Sequence, residues 1–270
     1  MERPSEPGPG TIAGGGPGES LAAAAPAAST TDAPATATAS VARQRWRLVL
    51  ARDAGPEAVI GRELAVAWDD AIEETGLPVH RPAGRSRARI AFGAPVPAAM
   101  ALERELADLV LTRLVPRWRV REALDGRMPG GWRLVDLYDV WPGAPALAGR
   151  VVAADYRFEL EGADPDAVAR AAAELLASDH MPRERRKGTD TVEYDLRPLL
   201  ADVTIASAGP PVVVRARTRF DPVLGTGRPE EVVAALGDRL GVALEPRSIV
   251  RERVLLADDD LEKDRDPALD

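Results

Sequence analysis

The same order of predicted strands and helices occurs twice along this chain. That repetition limits the available folds more than any other feature. In the first half, Trp46, Leu48 and Leu50 alternate with polar or smaller residues, which is typical of a half-buried strand. Apolar residues at helical spacing then predict a helix over 60–72. The elements predicted after it are strands over 85–92 and 107–113, a helix over 120–128 and a strand over 132–140. The third strand has an alternative, because residues 98–111 also fit a helix.

The second half repeats the order β-α-β-β-α-β. Asp164 and Pro165 are a typical cap and first residue of a helix, and Pro198 interrupts a long apolar strand. The predicted elements are strands over 151–160, 192–205, 212–220 and 248–256, with helices beginning at 165 and 229. This order is that of the split βαβ unit. We therefore expect an α+β protein of two tandem ferredoxin-like modules, residues 42–145 and 146–257, each with two helices on one face of an antiparallel sheet.

The two ends of the chain differ from this body in composition and charge. Residues 1–41 are rich in Gly, Pro and Ala, and residues 258–270 are acidic, so both are expected to be disordered. Together they carry the net charge of −8, which leaves the body neutral. No apolar run is long enough to cross a membrane, and no secretory signal is evident. The expected location is the cytoplasm, with no membrane partner.

Composition also excludes several kinds of chemistry. The chain has no cysteine and only two histidines, which excludes disulfides, thiolate metal sites and a cysteine-ligated iron–sulfur cluster. The glycines at 14–16 and 18 lack the Lys and Ser or Thr of a phosphate-binding loop. No metal and no cofactor is therefore predicted.

Arginines alternate along three predicted strands, so each set shares one face of its strand. Their spacing suits successive phosphates of a single-stranded RNA. The alternative is a solvated face on which Asp108 and nearby glutamates pair with them. The RNA-binding candidates are Arg43, Arg45, Arg47, Arg85, Arg87, Arg89, Arg215, Arg217 and Arg219.

Other candidates lie in predicted loops. His80, flanked by prolines, is a candidate general base or an ordinary surface residue. His180 follows a helix end, where a cation suits the helix dipole. A basic loop is predicted to contact RNA or a protein partner, or to be a solvated turn; it contains Arg183, Arg185, Arg186 and Lys187.

Four segments carry a resemblance to a known family. They are Met128-Pro-Gly-Gly-Trp-Arg-Leu, Pro145 to Leu160 with its Ala154-Asp-Tyr, Lys187-Gly-Thr-Asp-Thr-Val-Glu-Tyr-Asp-Leu-Arg-Pro-Leu-Leu, and Gly227-Arg-Pro-Glu-Glu-Val. The most specific is Asp195-Leu-Arg197-Pro198, in which Arg197 is predicted to form an ion pair with Asp195. Over about 45–256 the chain resembles the bacterial radical SAM-associated proteins that contain a domain of unknown function, DUF2344.

This resemblance implies a partner more than an activity. Members are encoded beside, or fused to, a radical SAM protein, often near genes for ribosomal proteins and a ribonuclease. The family's usual Ser-His-Leu-Asp and Gly-Phe-Asn-Pro-His-Pro runs are replaced here by Ile60-Gly-Arg-Glu-Leu and Arg81-Pro-Ala-Gly-Arg-Ser-Arg-Ala-Arg, so no catalytic residue is carried over. The favoured hypothesis is a non-catalytic accessory protein that assists a separate radical SAM enzyme in RNA or translation chemistry. The alternatives are an RNA-processing or RNA-modifying enzyme that uses His80 and nearby arginines, and a degenerate structural paralogue.

Overall fold

Helices and strands alternate along a mixed α+β chain. The computed structural model describes residues 41–55, 61–81, 90–98, 100–187 and 190–259. The helices within these ranges are α1 (Gly61–Glu74), α2 (Arg117–Leu124), α3 (Pro165–Ala177) and α4 (Pro229–Leu240). The strands are β1 (Gln44–Arg52), β2 (Ala91–Phe92), β3 (Ala101–Leu111), β4 (Trp132–Val140), β5 (Val151–Leu160), β6 (Pro182–Lys187), β7 (Asp190–Asp195), β8 (Leu200–Ser207), β9 (Val212–Asp221), β10 (Gly225–Thr226) and β11 (Ser248–Leu256).

One large sheet contains nine of these strands. Its order is β10-β9-β5-β11-β3-β1-β4, with β2 also paired to β3 and β8 also paired to β9. Within the first half the order is β4-β1-β3-β2, and within the second it is β11-β5-β9-β8, with every neighbouring pair antiparallel. The halves join where β11 runs parallel to β3, with Val250 opposite Ala101 and Arg251 opposite Leu102. The two separate sheets expected from the sequence are therefore one.

Two apolar clusters hold the helices against this sheet. In the first, Trp46, Leu48 and Leu50 of β1 pack with Leu64 and Trp68 of α1. The ring of Trp68 meets those of Trp132 and Phe92 edge-on, with centroids 5.4 Å and 5.8 Å apart. The second cluster contains side chains of α3, α4, β5 and β9, among them Leu175, Leu236, Phe158 and Val214.

The larger cluster crosses into the first half of the chain. Val49 and Leu106, which lie opposite one another on β1 and β3, belong to it together with Leu147 and Val151. Leu147 and Val151, both predicted for the second module, thus pack in one core with residues of the first. The two halves pack as one body.

Most of the predicted elements are confirmed, and the differences have physical causes. Residues 101–111 form a strand, so the helical alternative is wrong: pairing with β1, β2 and β11 outweighs helix propensity. The long strand predicted over 192–205 is interrupted at Pro198, as expected. Its first part leaves the main sheet, because β7 pairs with β6 in a separate two-stranded sheet.

Several predictions concern residues outside the described ranges. These are the tail over 1–40, most of the predicted strand over 85–92, and residues 260–270 of the acidic tail. Among the helices that the structure does describe, none is long and apolar enough to cross a membrane.

Replacing Trp68 by Ala should remove the centre of the first apolar cluster. Trp68 is fully buried, so we expect the free energy of unfolding to fall by about 3–5 kcal/mol in a urea titration. Val66 on the same helix is 45% exposed, and Val66→Ala should change stability by less than about 0.5 kcal/mol. Equal losses in the two variants would contradict this packing.

Candidate functional site

The arginines of β1 lie against a carboxylate, as one of the two sequence hypotheses supposed. Arg45 and Arg47 both donate to Asp108 of β3, with Nε–Oδ distances of 2.8 Å in each case. Arg45 also donates to the carbonyl oxygens of Ala144 and Pro145, at 2.7 Å and 3.0 Å. The segment after β4 therefore closes over this cluster.

Burial corrects the expectation that this face is exposed to solvent. Arg45 is 7% exposed and Arg47 only 2% exposed, so neither guanidinium presents a surface for RNA phosphates. Arg43, two residues before Arg45, is exposed. Arg85, Arg87 and Arg89 lie outside the described residues. Alternation placed the β1 arginines on the face away from the helices, but it carried no information about what covers that face.

The arginines of β9 belong to a network of ion pairs. Arg217 Nε lies 2.7 Å from Asp155 Oδ1, and Arg253 Nε lies 2.9 Å from the other oxygen of the same carboxylate. Arg215 Nε donates to Glu252 Oε2 at 3.0 Å. Burial acts to raise the pKa of Asp155, but the hydrogen bonds from the two arginines outweigh it and hold that pKa below its ordinary value. Arg219 is exposed and donates to the carbonyl of Pro198 at 2.9 Å.

Charge balance across this face decides what it attracts. Each guanidinium is matched by a neighbouring carboxylate, so the network as a whole is neutral. Its members are Arg157, Arg215, Arg217 and Arg253 with Glu103, Asp155, Glu159 and Glu252. Phosphate binding depends on uncompensated positive charge. These eight residues therefore give the face no excess of positive charge for RNA phosphates.

The Asp195-Leu-Arg-Pro motif ties the end of α3 to the start of β8. Asp195 accepts from the backbone N–H groups of Met181 and Arg197, at 2.8 Å and 2.9 Å. The Arg197 guanidinium donates to three backbone carbonyls, those of Leu176, Ser178 and Leu200, at 2.7–2.9 Å. The predicted side-chain ion pair between Arg197 and Asp195 is not the bond that forms. The motif acts as a backbone clamp.

His180 is part of the same clamp. Its Nδ1 lies 2.9 Å from Asp195, and that hydrogen bond raises the pKa of His180. Its position after α3, which ends at Ala177, agrees with the expected placement, but its partner is a carboxylate rather than helix carbonyls.

The basic segment expected as a loop is the strand β6, which carries Arg183, Arg185, Arg186 and Lys187. Arg183 Nη1 lies 2.6 Å from Asp238 of α4. Pro182 lies opposite Asp195 of β7, so β6 and β7 form a hairpin. His80, the candidate general base, is half-buried, and its backbone N–H donates to the carbonyl of Val110 at 2.8 Å.

Two features escaped the sequence analysis. The first is a pocket between the halves, with the buried pair Arg251 and Glu105 beneath it. The sequence signal that points to this pocket is a charged residue within a mostly apolar strand, as Glu105 is in β3 and Arg251 in β11. The second is the edge of the sheet at β4, which pairs only with β1 in the part of the chain that is described.

Apolar side chains are exposed along and beside that edge. Val135 and Tyr138 of β4 are partly exposed, and Trp141 directly after the strand is 75% exposed. Arg117, in the first turn of α2, donates to the carbonyl of Leu137 at 3.0 Å, which places α2 at the edge. Trp118, the next residue of α2, is 65% exposed. We call Val135, Tyr138, Trp141 and Trp118 the β4 edge surface.

These features define a mixed α+β protein with one large, mostly antiparallel sheet. A family model described as an uncharacterized protein conserved in bacteria, DUF2344, matches residues 45–232, and the chain belongs to that family. No curated protein matches the sequence.

Solved structures are similar to this chain only at low sequence identity and low TM-score. A Cbf5–Nop10–Gar1 complex matches with 11% identity and a TM-score of 0.45, over 77% of this chain and 48% of that one. The archaeal box H/ACA sRNP Nop10–Cbf5 complex matches with 12% identity and a TM-score of 0.40, over 77% and 46%. The chain thus spans about half the length of the structures it resembles. At these TM-scores the likeness assigns no activity to this chain.

Removing the carboxylate between Arg45 and Arg47 should be costly. Asp108→Ala leaves two buried guanidinium groups without their counter-charge, and we expect a loss of about 3–5 kcal/mol in the free energy of unfolding, measured with urea. Asp136→Ala is the control, because it breaks an ion pair with Arg117 in which both side chains are well exposed, and it should cost at most about 1 kcal/mol. Similar losses would contradict the buried cluster.

The neutral face of β9 predicts that the chain does not bind RNA there. In about 0.1 M salt, the wild-type protein should leave the fluorescence anisotropy of a short labelled RNA unchanged up to high micromolar concentration. The triple variant Arg215→Gln, Arg217→Gln, Arg219→Gln should behave the same. Binding by the wild type that the triple variant loses would reverse this conclusion and establish the face as an RNA surface.

Proposed function

We propose that this chain is a non-catalytic accessory protein that binds a separate radical SAM protein along the β4 edge surface. Its role is to assist that partner in chemistry on RNA or on another component of translation. The partner is the one that the family resemblance implies, and the observation that carries the proposal is the exposed apolar edge of the sheet. An unpaired strand edge offers backbone N–H and C=O groups to a strand of another protein, apart here from Leu137, whose carbonyl accepts from Arg117 and whose N–H donates to Asp136.

The charged side chains of β4 are already engaged within the chain. Arg133 Nη1 lies 2.6 Å from Asp53, Asp136 pairs with Arg117, and Asp139 accepts from Gln44 at 3.3 Å. Charges that commonly protect an edge strand are thus paired within the chain, although their side chains stay exposed at the surface. Beside these neutralised pairs the edge presents Val135, Tyr138 and Trp141, which favours a protein over a nucleic acid.

The strand β8, at the other end of the sheet, exposes a different kind of surface. β8 exposes Thr204, Ala206 and Ser207, which are small or polar. Large aromatic side chains are those that supply most of the energy at protein interfaces, and the β4 edge surface carries Trp118, Tyr138 and Trp141. The β4 side is therefore the better candidate for a specific partner.

The repeated strand order supports a finer description of the fold. We infer that residues 42–145 and 146–257 are two ferredoxin-like modules fused edge to edge. Each has its first strand at the centre of four, flanked by its third and fourth strands, with the second strand outside the third. That arrangement is the one in which a split βαβ unit pairs antiparallel throughout. On this proposal the β4 edge surface is the free edge of the first module.

Binding should be measured between the full chain and a radical SAM protein of the kind that the family resemblance implies. We expect a complex in isothermal titration calorimetry, and we expect the double variant Val135→Lys, Trp141→Lys to bind at least about tenfold more weakly. Two new charges on an apolar interface must be desolvated without a partner, which is the reason for the loss.

The matched control is Val223→Lys, because Val223 is 88% exposed on the turn between β9 and β10, away from this edge. It should bind as the wild type does, and all three proteins should share one thermal midpoint. Absence of a complex with the wild-type chain, or equal affinity in the double variant, would reject the proposed role of the β4 edge surface.

A further inference from the structure

A pocket of about 580 Å³ lies where the two halves of the chain meet. One wall is the loop Pro95–Pro97 with Met100, and the other is the turn Gly225–Glu230 that leads into α4. Its size lies within the range of small-molecule sites. Nothing in the proposed partner role uses this pocket, so its function is a separate question.

The inner end of the pocket is formed by Arg251, whose guanidinium has an unmet hydrogen-bonding capacity. Arg251 is 3% exposed; it donates to Glu105, which is 1% exposed, and to the carbonyl of Pro95 at 3.1 Å. Its Nε has no hydrogen-bond partner within the described residues. A buried donor without a partner costs free energy, which an acceptor on a bound ligand would recover.

Behind this pair lies a second buried guanidinium, that of Arg52. A single nitrogen of Arg52 donates to the carbonyls of Pro97, Ala98 and Met100, and its Nε and Nη1 lack partners among the described residues. Burial raises the pKa of Glu105 despite the opposing effect of Arg251. One carboxylate therefore faces two buried guanidinium groups.

The rim of the pocket adds positive charge and oriented donors. Arg228 is exposed and has no ion-pair partner in the described part of the chain. It also precedes α4, a helix that begins with Pro229 and without a side-chain cap, so the N–H of Glu230 and the positive end of the helix dipole lie at the rim. Glu230 is the opposing charge at this rim, and it too is exposed.

The turn that holds Arg228 is rigidly placed. Gly227 donates to the carbonyl of Arg219 at 3.0 Å, and its own carbonyl accepts from Thr218 at 2.9 Å. A Cβ at Gly227 would lie 2.8 Å from the carbonyl oxygen of Leu199, so only glycine fits. Two segments that carry the family resemblance, Ala154-Asp-Tyr156 and Gly227-Arg-Pro-Glu-Glu-Val, meet here, because Tyr156 also lines the pocket.

Charge and surface together specify a ligand class. Arg52, Arg228 and Arg251 against Glu105 and Glu230 leave an excess of positive charge, while Val96, Met100 and Phe220 supply apolar walls. A phosphate offers the acceptor oxygens that guanidinium groups and helix N–H groups bind. We propose that this pocket binds a small organic phosphate of mononucleotide size, with its phosphate at Arg228 and the start of α4 and its body against the apolar walls.

The test is calorimetric titration of the full chain with each of the four ribonucleoside 5′-monophosphates and with inorganic phosphate. We expect at least one nucleotide to bind, more tightly than inorganic phosphate. Arg228→Gln should weaken it about tenfold or more, since a charge-assisted hydrogen bond is lost, and Arg228→Lys should weaken it less. Arg170→Gln changes an exposed arginine of α3 that does not line the pocket, and should bind as the wild type does.

The proposal is overturned if no nucleotide binds up to millimolar concentration, or if Arg228→Gln binds as the wild type does with an unchanged thermal midpoint. Inorganic phosphate binding as tightly as every nucleotide would overturn the role of the apolar walls. None of these outcomes bears on the β4 edge surface, because the titration contains no partner protein.

Discussion

The short parallel pairing of β11 with β3 is the contact on which the rest of the molecule depends. It places the last strand of the second half beside a central strand of the first, with Arg251 opposite Leu102. Each half would otherwise end in an open strand edge at this point. Joining them gives one sheet, brings Arg251 to Glu105, and leaves a pocket between the loop Pro95–Pro97 and the start of α4.

Two clusters of charged side chains are buried in this protein. Arg45 and Arg47 share Asp108 under the segment that links the halves, and Arg251 shares its surroundings with Glu105 and Arg52. Removing ions from water is expensive, and only close pairing and additional hydrogen bonds offset the cost. The first cluster meets that condition with bonds to Ala144 and Pro145, whereas the second leaves donors unpartnered. That difference separates a structural cluster from a candidate binding site.

The surface of the sheet differs in charge and exposure between β9 and β4. On β5, β9 and β11, arginines and carboxylates neutralise one another across neighbouring strands, as Arg217 and Arg253 do with Asp155. At the β4 edge the charges are paired with one another at the surface, and aromatic side chains are exposed beside them. We therefore propose the β4 edge surface for a protein partner and the pocket for a small ligand.

Much of the fold follows from local pattern. The alternation at Trp46, Leu48 and Leu50, the Asp164 cap with Pro165, and the break at Pro198 depend on neighbours within a few residues, so β1, α3 and the start of β8 were predictable. The pairing of Asp108 with arginines was also one of two hypotheses open to sequence reasoning.

What only the tertiary structure decided depends on contacts between residues far apart in the chain. The sequence by itself determined the order of elements and that Arg45 and Arg47 share a face of β1. It did not determine that residues 144–145 cover that face, that β11 joins β3, or that Arg251 meets Glu105, 146 residues away. Periodicity specifies the side of a strand on which a residue lies, whereas burial is set by whatever packs on that side. For that reason Arg45, Arg47, Arg215 and Arg217, which alternation marked as part of an RNA surface, form ion pairs within the chain, and the unpartnered donors lie at a junction that no local pattern describes.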